Sequence, residues 1–450
     1  MGHITVGLSK QLRDNLGKIV GETGMPPDPY QIDEVCSQAV VAPSSIREIQ
    51  DILAFATEHQ LSIVPVGAGT KLGIGNPPEK VDLVLLMGQF NEVLEYEPAD
   101  LSVTVQAGVR LSELQKTLAT EGQFLPLDPP YAADTTLGGL VAANASGPSR
   151  LRHGTARNRV LGMKVVQPSG TVVNSGGKVV KNVAGYDLKK LYIGAFGTLG
   201  IITELTFNLY PLPELKRTLL LSFKTVKDAA EVALQIANSQ LAPVFINLFT
   251  DGAFATVSSE TALSGTIVGV GIDGHPETVA WQLKQVQSMA TEQGDVIGVE
   301  MLEDIDQAEF RSSMCAFPEG SPSPQAIICK ANLRMTDVEG FVNGTQETVT
   351  PLHAPVHTMG LIGSGVVYIA ISEGSDDTNE LQSIAKAIVE LREHAISVGG
   401  SLIIESAPLA LKRQVDVWGP VGNSTGLMKA IKARLDPVGL MNPGRFVEGI

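Results

Sequence analysis

The sequence predicts an α+β fold of two domains, with a C-terminal segment that returns to the first. Three observations lead there. The chain has 450 residues, more than one hydrophobic core organises. Helix-like and strand-like segments are mixed on both sides of a central break. That break, YPLPE at 210–214, reads as a linker. A composition of 44% hydrophobic and 18% charged residues with 46 glycines describes a well-buried chain with many tight turns.

Taken in order, SSIREIQDILAFATEH (44–59) places apolar side chains at helical spacing behind a serine cap, and LSIVPV then reads as a buried strand. KVDLVLLM (80–87) and LSVTVQAGV (101–109) read as strands, and RLSELQKTLATEG (110–122) as a helix ended by Gly122. Strand-like runs at MKVVQPSGTVV and GIITELTFNLY interrupt a stretch rich in Gly, Asn, Ser and Thr. Beyond the linker, RTLLLSF, a helix near 225–240, strands around 243–273 and a helix near 276–293 predict the second domain. The expected organisation is an N-terminal helical segment over 1–39, a first domain over 40–214, a cap domain over 215–415 and a C-terminal segment over 416–450.

Charge and cysteine usage exclude several classes of function. A net charge of -15 argues against nucleic acid, whose binding needs clustered Lys and Arg. No apolar run approaches the roughly 18 residues that cross a bilayer, so no transmembrane segment is expected. The N-terminus lacks a signal-peptide core, and a cytoplasmic chain is expected, touching a membrane only through partners. Cys36, Cys315 and Cys329 are widely spaced and form neither a disulfide framework nor a zinc motif. An iron-sulfur centre, which normally takes four thiolates, would belong to another subunit.

The first chemical signal is IVPVGAGTKLG (63–73), where a strand runs into a turn that lines up successive backbone N–H groups on a pyrophosphate. It is not a Rossmann fingerprint, because Leu72 stands where the third glycine belongs and GIGNPP cannot continue a helix. No P-loop pattern occurs either. A second glycine-rich stretch, DPPYAADTTLGGLVAANASGPSRLRHGTARNRVLG (128–162), offers Thr135 and Thr136 as helix caps and a Gly-Gly pair against which a flat ligand can lie. Two such loops from distant positions imply one extended ligand.

These stretches resemble the FAD-binding domain of the vanillyl-alcohol oxidase and p-cresol methylhydroxylase superfamily. KVVKNVAGYDLKKLYIGAFGTLGIITELTFNLYPLP (178–213) and LDPVGLMNPGRF (435–446) narrow the resemblance to the smaller, FAD-binding subunits of glycolate oxidase, also called glycolate dehydrogenase. By position it implies that Val66, Gly67, Ala68, Gly69 and Thr70 lie on the pyrophosphate of FAD. Thr136, Gly138, Gly139, Asn144, Ser146 and Gly147 would follow the ribityl chain and ring, with Ile201 and Ile202 near the adenosine end. His153 falls where some members bond FAD covalently, although a charged flank is the other reading of RLRHG.

The resemblance also implies oxidation of a 2-hydroxy acid, beside a catalytic flavoprotein subunit and an iron-sulfur subunit. Stand-alone members carry H-x-G-D-G-N-x-H and E-H-G motifs that hold a metal and the substrate carboxylate. In GLIGSGVVYIAIS (360–372), Leu361 and Tyr368 occupy the two His positions and Ser364 the Asp position. Glu405 remains, but Ser406 replaces the adjacent His, and Phe196 stands where many catalytic relatives have an acidic residue. His353 and His357 are four apart, but Pro355 between them breaks a helix, so no metal site is expected. Lys181, Tyr186 and Arg445 are the remaining catalytic candidates, offering a cation, a hydroxyl and a guanidinium. Two alternatives stay open: a stand-alone FAD-dependent D-2-hydroxyacid oxidoreductase, and a structural subunit that FAD stabilises by mass action.

Overall fold

A computed structural model describes residues 10–178, 185–258, 261–293, 295–319, 326–352, 354–372 and 378–450. The first helix, α1 (Lys10–Val20), packs on α2 (Ile46–His59), which begins behind Ser45 as its cap pattern predicts. The Ser45 hydroxyl accepts from the N–H of Glu48, and Ile49, Ile52, Leu53 and Ala56 form the buried stripe. That stripe covers a small parallel sheet of β1 (Ala39–Val41), β2 (Ile63–Val66) and β3 (Leu83–Leu86), in the order β1-β3-β2.

Next comes an antiparallel sheet of β4 (Val93–Glu97), β5 (Ser102–Gln106), β6 (Val160–Val166), β7 (Val172–Gly176) and β8 (Ile201–Asn208), in the order β7-β6-β8-β5-β4. Two helices, α3 (Leu111–Ala119) and α4 (Leu137–Ala143), share its core with Val105, Val165 and Phe207. As expected, the chain leaves α3 through Gly122 in the left-handed region, at φ +64°.

The second half holds one eight-stranded antiparallel sheet. Its strands are β9 (Leu215–Phe223), β10 (Phe245–Phe249), β11 (Thr266–Gly274), β12 (Val296–Leu302), β13 (Ile327–Asn332), β14 (Val356–Leu361), β15 (Val366–Ile371) and β16 (Ser401–Ser406). They run in the order β12-β9-β11-β10-β14-β15-β13-β16. Helices α5 (Val226–Ala237), α6 (Pro276–Gln293), α8 (Val338–Val349) and α9 (Thr378–Ser397) bury one face. The other face packs partly on α7 (Asp304–Ala316).

The last helix, α10 (Thr425–Leu435), leads the chain back to the parallel sheet. Ile63 N donates to Leu440 O at 2.7 Å and Asn442 N to Ile63 O at 2.8 Å, so the tail extends the sheet beside β2. Asp436, only 3% exposed, fixes that return by accepting from the N–H groups of Leu440 and Met441 and from Lys432 Nζ. The C-terminal segment therefore belongs to the wall of whatever site β2 feeds.

Candidate functional site: a glycine-walled cofactor cleft beside a buried ion cluster

β2 ends at Val66 and turns into a loop instead of a helix, as GIGNPP requires. Gly69 takes φ +78°, and a β-carbon at Gly67 would overlap the Thr136 hydroxyl. That hydroxyl accepts from Gly139 N at 3.3 Å and caps α4. Thr135, expected as a second cap, instead meets Thr70 through its hydroxyl at 3.3 Å. The loop thus closes against the first turn of α4, and a cleft lies between them.

Val66, Gly67, Ala68, Gly69, Thr70, Thr136, Gly138, Gly139, Ile201, Ile202 and Arg445 all line this cleft, together with Lys71, Met87, Ala142, Phe196 and Asn442. Asn144, Ser146 and Gly147 stand outside its wall. Asn144 ends α4 with φ +47°, and Gly147 packs against the backbone of Asp128. Tyr186 is 93% exposed, and Lys181 lies outside the described residues, as does His353.

His153 sits elsewhere. It lines a second cavity with Asp128, Lys216, Arg311 and Cys315, its ring edge-on to Phe124 and Tyr210. Burial, then the charges of Arg152 and Arg159, push its pKa down to about 4, so the ring is neutral at neutral pH. His357 is on strand β14, not on a helix. Among the described residues no group of three His, Cys, Asp or Glu side chains is placed to hold a metal.

Arg445 is not free to orient a carboxylate. Its guanidinium is 4% exposed and donates to Asp33 at 3.1 Å, to Ile74 O at 2.6 Å and to Leu72 O. Asp33 also accepts from Lys412 Nζ at 2.6 Å, and Lys412 reaches Gly73 O at 2.6 Å. This ion network ties the turn at 33–34, the cleft loop at 72–74 and the C-terminal segment into one wall. Phe196 closes the same edge by packing on Trp418 and Phe446, with ring centroids 5.2 and 5.7 Å away.

The cleft fits FAD. Among the described residues nothing accepts from the backbone N–H groups of Ala68, Gly69 or Thr70, which leaves these donors open to a pyrophosphate. Asn442 Oδ1, buried in the wall, also has no partner. Glycine backbone and the apolar side chains of Met87, Ala142, Ile201 and Ile202 suit a flat ring system.

A buried ion cluster adjoins the cleft. Lys330 on β13 stands opposite Tyr368 on β15, its ammonium 5.5 Å from the ring centroid. A bulge between β13 and β16 skips Glu405, because Ile328 pairs with Ser406 and Cys329 with Ile404. The bulge re-aims the Glu405 side chain. Its carboxylate accepts from Lys330 Nζ at 3.1 Å and lies 3.7 Å from Lys71 Nζ. Lys71 belongs to the loop after β2, and its ammonium lies 5.5 Å from the Tyr131 ring centroid.

Burial alone would raise the pKa of Glu405, but the ammonium groups of Lys330 and Lys71 together outweigh it and hold the carboxyl below its usual range. Burial lowers the pKa of Lys71, against the opposing pull of Glu405. Sequence reasoning singled out Glu405 and Tyr368 but missed both lysines. A lysine inside the apolar strand IICKAN and another within GAGTKLG were the available signals, since lysine is rarely buried without a partner.

Fold and cleft define the class: a two-domain FAD-binding protein of the p-cresol methylhydroxylase type, with FAD as its cofactor. Two family models match, the FAD binding domain at residues 37–176 and the C-terminal domain of FAD linked oxidases at 212–446. The chain belongs to the FAD-linked oxidases. It is 30% identical to glycolate oxidase subunit GlcD of Bacillus subtilis (strain 168), over 91% of this chain and 88% of that one. To a probable mitochondrial D-lactate dehydrogenase of Danio rerio it is 27% identical, over 91% and 84%. The solved structure of p-cresol methylhydroxylase with substrate bound has the same fold, with a TM-score of 0.80 at 14% identity over 98% of this chain and 97% of that one.

Proposed function

We propose that this chain is the FAD-bearing subunit of a 2-hydroxy-acid dehydrogenase of the glycolate type, passing electrons to a partner flavoprotein and an iron-sulfur subunit. The observation that carries the reading is the double position of Lys71, which lines the cofactor cleft and belongs to the ion cluster. A small acid held at that junction lies against the cofactor. Lys71, Lys330 and, within electrostatic reach, Arg150 outnumber Glu405 and Glu319 by one positive charge, which suits an anion.

FAD, when bound, supplies a two-electron acceptor for the hydride of the acid. The chain's own residues bind and shield the reactants, and the proton of the hydroxyl goes to a base of the partner flavoprotein. The 66–70 loop holds the phosphates, the apolar cleft wall excludes water, and the cluster offsets the charge of the acid. The names of the Bacillus and Danio relatives, a glycolate oxidase subunit and a probable D-lactate dehydrogenase, support this substrate class. The absence of histidine at Leu361 and Tyr368 favours work beside partners over independent turnover. Among the described residues no helix is long and apolar enough to cross a membrane.

The test is an anaerobic visible spectrum of the chain, alone and assembled with its partners, before and after glycolate or D-lactate. Bleaching of the flavin band in the assembly, slower or absent in the isolated chain, is expected. A flavin that stays oxidised in both preparations would contradict the proposal.

A further inference from the structure

We propose that Lys71 is the residue that holds the carboxylate of the 2-hydroxy acid, and that it does so without any divalent cation. The inference rests on the proposed function and adds to it the anchoring group and the independence from metal.

The argument begins with Glu405. A buried carboxylate is costly unless paired, and one ammonium would be enough to pair it. Lys330 provides that pair at 3.1 Å, from a neighbouring strand of the same sheet. Lys71 is the looser partner, at 3.7 Å, and comes from a different domain. Lys71 also lines the cleft. Its side chain is 15% exposed, so an anion can reach it.

The groups facing Lys71 are Glu405, Lys330, Glu319 and the ring of Tyr131, with Tyr368 and Arg150 behind Lys330. Neutralising Glu405 with Lys330 leaves Lys71 and Arg150 against Glu319 alone. The position is therefore already served by protein ammonium groups, and a divalent ion would meet repulsion from both lysines. Arg445, the other cation lining the cleft, already gives donors to Asp33, Leu72 O and Ile74 O.

A probe with the right polar groups and no reactive hydrogen separates binding from turnover. 2-Hydroxyisobutyrate has the hydroxyl and carboxylate but lacks a hydrogen on the α-carbon, so it cannot be oxidised to a keto acid. Calorimetric titration of the full FAD-loaded chain with this acid is expected to give the same affinity with and without excess EDTA. Lys71→Met should weaken binding at least about tenfold, the size of one lost charge-assisted contact, while Lys71→Arg keeps most of it. Glu405→Gln supplies a second readout. Affinity should fall at alkaline pH as Lys71 loses its proton, and removing its counter-charge should move that fall to lower pH.

Binding that EDTA abolishes, binding that Lys71→Met leaves unchanged, or no binding at all by the loaded wild-type chain would each overturn the inference. Failure of the broader functional reading is distinguishable. In that case the unreactive acid binds through Lys71, yet neither glycolate nor D-lactate reduces the flavin in the assembled complex.

Discussion

Replacing Gly67 by alanine tests how the cofactor cleft is held open. The new β-carbon would overlap the Thr136 hydroxyl and lie 3.1 Å from Thr136 Cβ and 3.4 Å from its Cγ2. Either the loop after β2 or the first turn of α4 must move. Overpacking of this kind costs about 1–3 kcal/mol. Since both elements are cleft walls, most of that cost should appear in FAD affinity, as a loss of roughly 5- to 150-fold. Thr136→Ala alone removes the cap on Gly139 N and should cost about 1 kcal/mol. Because the clash needs the Thr136 hydroxyl, the double variant should cost clearly less than the two singles added together. Quenching of flavin fluorescence during titration of the apoprotein measures all four affinities. Wild-type affinity in Gly67→Ala, or strict additivity in the double variant, would refute the reasoning.

Other expectations follow from the polar networks. Asp33→Asn leaves Lys412 and Arg445, 1% and 4% exposed, without their shared carboxylate. It should destabilise the chain by about 3 kcal/mol and speed FAD release, read by denaturant unfolding and flavin fluorescence. Glu405 titrates below the usual carboxylate range in the folded chain, so its contribution to stability is present above that range and lost as pH falls through its folded pKa. Acid unfolding of Glu405→Gln should therefore lack part of the pH dependence of the wild type. Tyr186→Phe removes a hydroxyl from a side chain that is 93% exposed, and steady-state assays of the assembled complex should change less than about twofold.

How much of this was legible in the sequence depends on the range of the interactions. α2 and β2 are written locally, in a serine cap, a 3.6-residue apolar period and an apolar run ending in glycine, and the structure has them at Ile46–His59 and Ile63–Val66. The turn after β2 was legible for the same reason, since GAGT needs only its own backbone to turn. Asn144, Ser146 and Gly147 were harder to place, because a helix of only 7 residues turns them out of the cleft, and that turn depends on Asn144 adopting a left-handed conformation.

The ion cluster was out of reach. Lys330, Tyr368 and Glu405 meet only through strand pairings of high sequence separation and one bulge, and Lys71 joins them from a loop of the other domain, which no local pattern announces. The network around Asp33 likewise spans 412 residues to Arg445. Arg445 therefore looked like a free guanidinium, whereas the fold commits it to the cleft wall. His153 illustrates a third kind of difficulty. Its neighbours in sequence, Asn144 to Gly147, were expected along FAD, yet Phe124 and Tyr210 draw its ring into a separate cavity.

The central claim is that a hydroxy acid is held against the flavin at the junction Lys71 creates. A visible difference spectrum of the FAD-loaded chain on addition of 2-hydroxyisobutyrate tests it most directly, because an anion beside the ring shifts the flavin band without reducing it. The account predicts a saturable shift in the wild type that persists in EDTA and is lost in Lys71→Met. A spectrum that stays unchanged while calorimetry shows the acid bound would place it away from the flavin and contradict the account.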